Sequence, residues 1–213
     1  MNTALFIGLV ILVGVSLGWV LHQRATRRMS PILTRLAAEM NGKVESSSLF
    51  LMPTLQFWHS GTEVEVSTAS TGIAGESVRY TYALFVGLNS KNFMFRILPR
   101  SLQTIGDKWI MKRKPMSTGV DKLDKCLAIY TNNDPLMKSV LSERIQADLL
   151  SWAEQKRENK INDIRNYNDN LIFAVAGDLE SYEEYKLLLD TACRFYDAVI
   201  NVMPNSSKAS NNI

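Results

Sequence analysis

Hydrophobic and polar positions follow three regimes along the chain. The first is an unbroken apolar run, TALFIGLVILVGVSLGWVL, from Thr3 to Leu21, with no charged residue in it. At about 1.5 Å per residue a helix of this length covers roughly 28 Å, against about 30 Å of hydrocarbon in a bilayer. Twelve of its 19 residues are Leu, Ile, Val or Phe, contributing at most about −4 to −7 kcal/mol toward insertion. No polar face interrupts the run, as a buried soluble helix would require. A cleaved signal peptide fits less well, because only Met1 and Asn2 precede the run and it ends in Trp19-Val20-Leu21-His22-Gln23 rather than a small-x-small site. The pattern predicts an uncleaved single-pass transmembrane helix, a signal-anchor, over residues 1–23.

The second regime is alternation. After a short predicted helix, capped by Ser30-Pro31 and stopped by Asn41-Gly42, strands are expected at Val44 to Leu51, Leu55 to Trp58, Glu63 to Ala69, Val78 to Val86 and Phe93 to Leu98. Val78, Tyr80, Tyr82, Leu84 and Val86 alternate onto one face, and Arg79, Thr81, Ala83 and Phe85 onto the other. Turn residues between the runs predict an antiparallel meander joined by short hairpins.

The third regime is helical spacing. Asn133-Asp134-Pro135 opens a predicted helix whose apolar positions, Leu136 through Val140, Leu141, Ile145 and Leu149 to Trp152, recur at spacings of three and four. Cys126 to Thr131 before it reads as a strand. Residues 161–167 fit either strand or continued helix, and Leu171 to Ala176, apolar on both faces, reads as an interior strand ending at Gly177. The last helix begins at Ser181 with Glu184 at capping-box spacing, carries a stripe from Tyr185 to Met203, and stops at Pro204. The expected fold class is α+β: an N-terminal transmembrane helix, then a mostly antiparallel sheet packed against two longer C-terminal helices. The domains expected are the anchor (1–23), a basic juxtamembrane segment (24–30), an α+β domain (31–203) and a disordered polar tail (204–213).

Charge gives this layout a direction. Arg24, Arg27 and Arg28 follow the apolar run, while only the terminal amine precedes it. The positive-inside rule then places the amino terminus outside and the domain in the cytoplasm, with Trp19 at the interface. Gly14 and Gly18 form a G-x-x-x-G pair in the anchor, where a second copy could pack to form a homodimer. Between Arg96 and Asn133 there are eight bases and three acids, whereas from Asp134 to Asp190 there are seven bases and twelve acids. Lys112, Arg113 and Lys114 concentrate the positive charge beside Trp109, a candidate contact for anionic lipid headgroups or an acidic partner, the alternative being a solvated positive loop with no partner. A formal net charge of +3 is too small to mark the chain as a nucleic-acid binder.

Candidate chemistry changes the picture little. With 46% apolar and 21% charged residues the body is an ordinary globular chain. Ser67 to Ser77 (STASTGIAGES) lacks the lysine of a phosphate loop and reads as a loop between strands. Two histidines and two widely separated cysteines, Cys126 and Cys193, offer no metal-ligand spacing. Both cysteines have apolar neighbours, as small core residues do. Glu63 and Glu65 share one strand face, which reads as solvated rather than as an acid/base pair. No catalytic, cofactor-binding or metal residues are nominated. The expectation is a membrane-anchored, non-enzymatic interaction or assembly module with a protein partner. The alternatives are a membrane-surface enzyme and an exported domain of opposite orientation.

Overall fold

The computed structural model describes residues 26–45, 52–71, 78–88, 90, 93–102, 114–154 and 160–203, together with Ser16 and Gln23. Residues 26–39 form helix α1. Strands β1 (Lys43–Glu45), β2 (Thr54–His59), β3 (Thr62–Thr71), β4 (Val78–Phe85) and β5 (Phe95–Pro99) follow. After a 3-10 turn at Arg100–Leu102 come α2 (Asp121–Cys126), β6 (Leu127–Thr131), α3 (Asp134–Val140) and α4 (Glu143–Ala153). The chain continues through β7 (Ile161–Tyr167) and β8 (Asn170–Ala176) to α5 (Tyr182–Val202). The α+β expectation holds for this part of the chain. Among the described residues no helix is long and apolar enough to cross a membrane, and the run from Thr3 to Leu21 lies outside them apart from Ser16.

The eight strands form one sheet in the order β1-β2-β3-β4-β8-β7-β5-β6, with every pairing antiparallel. The first four make the expected meander. Ser60 and Gly61 both adopt positive φ between β2 and β3, as a two-residue type I′ hairpin requires, and Asn168 and Asp169 do the same between β7 and β8. The meander does not extend to β5. The edge of β4 is taken by β8, whose sequence NLIFAVA suits a strand with neighbours on both sides, and β5 pairs with β6 and β7 instead. Only Arg96 and Ile97 of β5 pair with β7 through the backbone, and Asn166 extends the join. Its buried amide accepts from Phe95 N (2.7 Å) and donates to Ser90 Oγ (3.0 Å) and to Phe93 O, so one side chain mimics a strand's donor and acceptor.

Helices cover one face of this sheet. Phe85 on β4 stacks on Tyr196 of α5 with ring centroids 4.6 Å apart, and Phe195 meets Phe95 and Phe173 edge-on at 5.8 and 6.1 Å. The apolar stripe of α5, from Tyr185 through Leu188, Leu189, Ala192 and Val199, is buried as the spacing predicts. Its capping box is present, Ser181 Oγ accepting from Glu184 N at 3.2 Å and Glu184 returning the bond to Ser181 N. Met29, Leu33 and Leu36 bring α1 into the same core. Arg35 of α1 lies 3.8 Å above the Tyr182 ring, and the Tyr182 hydroxyl donates to Glu39.

Several boundaries differ from expectation. Helix α1 starts before Ser30 and carries Pro31 inside it, since burying Met29 one turn ahead of Leu33 offsets the amide that proline lacks. Its stop is as predicted: Asn41 takes positive φ and Gly42 N donates to Ala37 O at 2.8 Å. A side chain at Gly42 would collide with the Gln56 carbonyl oxygen, 2.4 Å from the β-carbon position. The single helix expected from Asn133 is two, because Ser142 caps α4 afresh by accepting from Ile145 N. Strand β3 runs on through Ser67 to Thr71, so half of the predicted Ser/Thr-rich loop is ladder. Cys126 ends a short helix rather than opening a strand, and residues 161–167 resolve as strand.

Candidate functional site

Alternation along β4 assigns its two faces. Thr81, Ala83 and Phe85 turn to the helices and are buried, whereas Tyr80, Tyr82 and Leu84 turn to the opposite face and are only half-buried. The tyrosine face, the one whose period-2 pattern stands out in the sequence, is therefore the one turned away from the described helices; toward β5 and β6 it is closed, with Leu98, Ala128 and Tyr130 buried together. A groove of about 570 Å³ lies there. Register places Tyr80 opposite Ala176, Tyr82 opposite Ala174 and Leu84 opposite Ile172. The small side chains of β8 thus form a floor, with the tyrosines of β4 as one wall.

The other wall is charged. Arg96 on β5 grips Asp163 on β7 with two parallel bonds, Nε to Oδ1 and Nη2 to Oδ2, both 2.8 Å. Arg165, the cross-strand neighbour of Arg96, reaches the same Oδ2 through Nη1 at 3.2 Å. Two guanidiniums therefore share one carboxylate. Arg96 and Asp163 are 11% and 14% exposed, so this pair is well shielded, whereas Arg165 is 32% exposed. The Nε of Arg165 has no hydrogen-bond partner. Arg165 is thus the more exposed of the two cations, and the groove joins an apolar floor to a charged flank. That is the general design of a small-ligand site, mostly apolar with a few polar groups that fix orientation.

A second constellation looks catalytic but is wired otherwise. His59, Ser60 and Asp197 meet where the β2–β3 turn touches α5, His59 Nε2 lying 2.9 Å from Asp197 Oδ1. The Ser60 hydroxyl donates to that same oxygen at 2.8 Å. A nucleophilic serine must instead bond the histidine that takes its proton. Here both groups converge on the carboxylate, which ties the hairpin to the helix.

The cysteines behave as core residues to different degrees. Both are free, Cys193 buried and Cys126 half-buried. Burial, aided by the Asp197 and Asp190 carboxylates, pushes the Cys193 thiol up to about 12, so it stays protonated and unreactive at neutral pH. Among the described residues no three His, Cys, Asp or Glu side chains are grouped as a metal site would need. Glu63 and Glu65 are half-buried on the open face, and Glu65 accepts a long 3.5 Å bond from Gln56.

The basic stretch is largely internally engaged where it is described. Arg96 holds Asp163, Arg100 Nε donates to the Asp124 carbonyl at 3.0 Å, and Lys122 pairs with Glu154 at 2.7 Å. Burial pushes the Asp124 carboxyl up, but bonds from the Thr118 amide and the Ser117 and Thr118 hydroxyls, with the Arg100 charge, outweigh it and hold the group below its ordinary value. Lys114 is exposed, and Lys112 and Arg113 lie outside the described residues. Arg27 and Arg28 are exposed on α1, whereas Trp19, Arg24, Gly14 and Gly18 lie outside the described residues. Sequence reasoning nominated none of the groove residues. The tyrosine alternation was the available signal, but the partners that complete the groove sit on β8, β7 and β5, which only the folded order brings together.

The fold and groove define the class: an α+β domain with one antiparallel sheet, helices on one face and a ligand-sized groove on the other. No family model matches the sequence, and no curated protein does. Among solved structures the chain is similar to the crystal structure of the mycobacterial trehalose monomycolate transport factor A, TtfA. The two are 13% identical with a TM-score of 0.47, the match covering 84% of this chain and 96% of that one. A likeness at this level transfers neither residue nor role.

Proposed function

We propose that this chain is a membrane-anchored binding module whose α+β domain engages its partner through the open face of the sheet. The observation that carries the reading is the unequal treatment of the two sheet faces: one is sealed by α1 and α5, and the other presents half-buried tyrosines and a charged flank around a groove. A partly exposed stretch of sheet that gathers aromatic and charged side chains around a groove is a surface suited to binding.

The apolar run from Thr3 to Leu21, followed by Arg24, Arg27 and Arg28, supports a single-pass anchor with the domain on the cytoplasmic side. Lys112 to Lys114 supply a secondary contact to anionic headgroups, and Gly14 and Gly18 a seam for pairing two anchors. The test is position-specific photo-crosslinking of the full chain in its native membrane. A photoreactive residue at Tyr82 or Leu84 is expected to give discrete adducts, and one at Leu187, exposed on α5, none. Equal adducts from both positions, or recovery of the chain without its first two dozen residues in the soluble fraction, would overturn the reading.

A further inference from the structure

We infer that the open face pairs with the same face of a second copy of this chain, sheet against sheet, about a two-fold axis that runs parallel to the strands over the seam between β4 and β8. This rests on the reading of the open face as the binding surface and names the partner that fits it. Three observations converge on it.

Exposure comes first. Among the described residues the large hydrophobic side chains left exposed are Trp58, Val86, Met94, Tyr167 and Leu187, and all but Leu187 stand on this face. The pairing puts those four in one row. Trp58 is opposite Glu63, the Val86 amide donates to the Glu63 carbonyl at 2.9 Å, and Tyr167 is opposite Asn170. Met94, one position before β5, alternates onto the face of Arg96 and falls beside Tyr167. Trp58 is 71% exposed, and a contiguous row of this kind marks a contact surface.

The second is the order of charge. In the neighbouring row the cross-strand partners run Gln56, Glu65, Leu84, Ile172, Arg165 and Arg96 from β2 to β5. Glu65 on β3 and Arg165 on β7 stand at equal distances on either side of the β4–β8 seam, about 7 Å from it. Turning a second copy about the strand-parallel axis sets Glu65 over Arg165 of that copy, Leu84 over its Ile172 and Trp58 over its Met94. Glu65 has a long 3.5 Å bond from Gln56, and Arg165 is partly exposed, so both can reach across the roughly 10 Å between packed sheets. An axis laid across the strands would instead stack Glu65 on Glu65 and Arg165 on Arg165. The charge order therefore selects one isologous arrangement.

The third is the ladder. Every strand of the patch, from β2 to β5, has a neighbour on both sides, so the face has no free backbone groups for an added strand. It offers side chains on a twisted sheet, and a second copy presents a sheet of the same twist, as aligned packing needs. The patch spans roughly 24 Å from β2 to β5, and two rows cover roughly 400 Å² on each copy. That is about half of a standard interface. The pair is accordingly weak in dilute solution and forms where anchoring in one membrane concentrates the chains.

The test uses the full chain in phosphatidylcholine vesicles with a photoreactive residue in place of Val86. An adduct of twice the chain's mass is expected, joined to the β7–β8 hairpin of the other copy. Glu65→Arg alone and Arg165→Glu alone are each expected to cut that adduct about tenfold, because each sets like charges face to face. Mixing these two chains under different tags is expected to restore a mixed-tag adduct to within about twofold of the parent, which a folding defect could not produce. If Arg165→Glu loses its native circular dichroism, Trp58→Ala serves in its place and is expected to cut the adduct about fivefold. No dimer-mass adduct from the parent, attachment to the helices, indifference to these variants, or failure of the two folded charge variants to rescue each other would each overturn the proposal. If a different protein crosslinks from Tyr82 in the native membrane while Val86 in vesicles gives no dimer, the second copy falls and the open-face reading stands. If neither position captures a protein, both fall.

Discussion

The two faces of the sheet are built from the same strands and do different work. On the covered face Phe85, Phe95 and Phe173 interlock ring against ring with Phe195 and Tyr196 of α5, in a core that is mostly apolar. On the other face Tyr82, Leu84 and Arg165 are half-buried and mixed in character beside the shielded Arg96, and only toward β5 and β6 do Leu98, Ala128 and Tyr130 close into a small second core. One face spends its hydrophobic residues on stability, and the other holds polar and apolar groups in a pattern that stability alone does not require. The lesson is that alternation in a strand identifies two faces without saying which is the core: on β4 the more regular stripe is the outward one.

The comparison can be broken most severely from inside. Phe85→Ala removes a fully buried ring from the stack on Tyr196 and is expected to cost about 3–5 kcal/mol, measured by urea unfolding. Next comes the hinge between the faces, the shielded Arg96–Asp163 pair. Asp163→Asn leaves two guanidiniums side by side without their shared anion and should destabilise by about 2–4 kcal/mol, whereas Arg165→Gln should change stability by about 1 kcal/mol or less. If the two variants prove equally damaging, Arg165 is structural and not a cation held for a partner. Ser181→Ala, which removes the cap of the helix that seals the covered face, is expected to cost about 1 kcal/mol. Smallest of all, Leu84→Gln on the open face should leave unfolding within about 1 kcal/mol of the parent and the circular dichroism unchanged. A loss as large as that of Phe85→Ala would show that the open face is core after all.

What could be read from the sequence was local. Ser181 with Glu184, and Asn133 before Pro135, announce their helices because cap and helix are adjacent, and in both cases the side chain accepts the expected bond. The break at Ser142 was harder, since Leu136 to Trp152 keep helical spacing across it and only the serine marks the restart. Helix α2 was not legible at all: it has six residues and one buried position, Leu123, too few to show a period. The groove lay furthest from view. Tyr82 and Ala174 are opposite one another only because β8 enters beside β4, and Arg96 meets Asp163 only because β5 crosses to the far side of β7. Such long-range pairing leaves no mark at the level of spacing.

The strand order has a consequence for the growing chain on the ribosome. The half-sheet β1 to β4 can form early, but the partner for its last strand is not synthesised until Asn170 to Ala176. Through that interval β4 presents an unpaired edge next to aromatic side chains, the kind of template that recruits other chains. A polypeptide stopped short of β8 would keep that edge for good, so truncations ending before Asn170 should collect in inclusion bodies while the longer product stays dispersed.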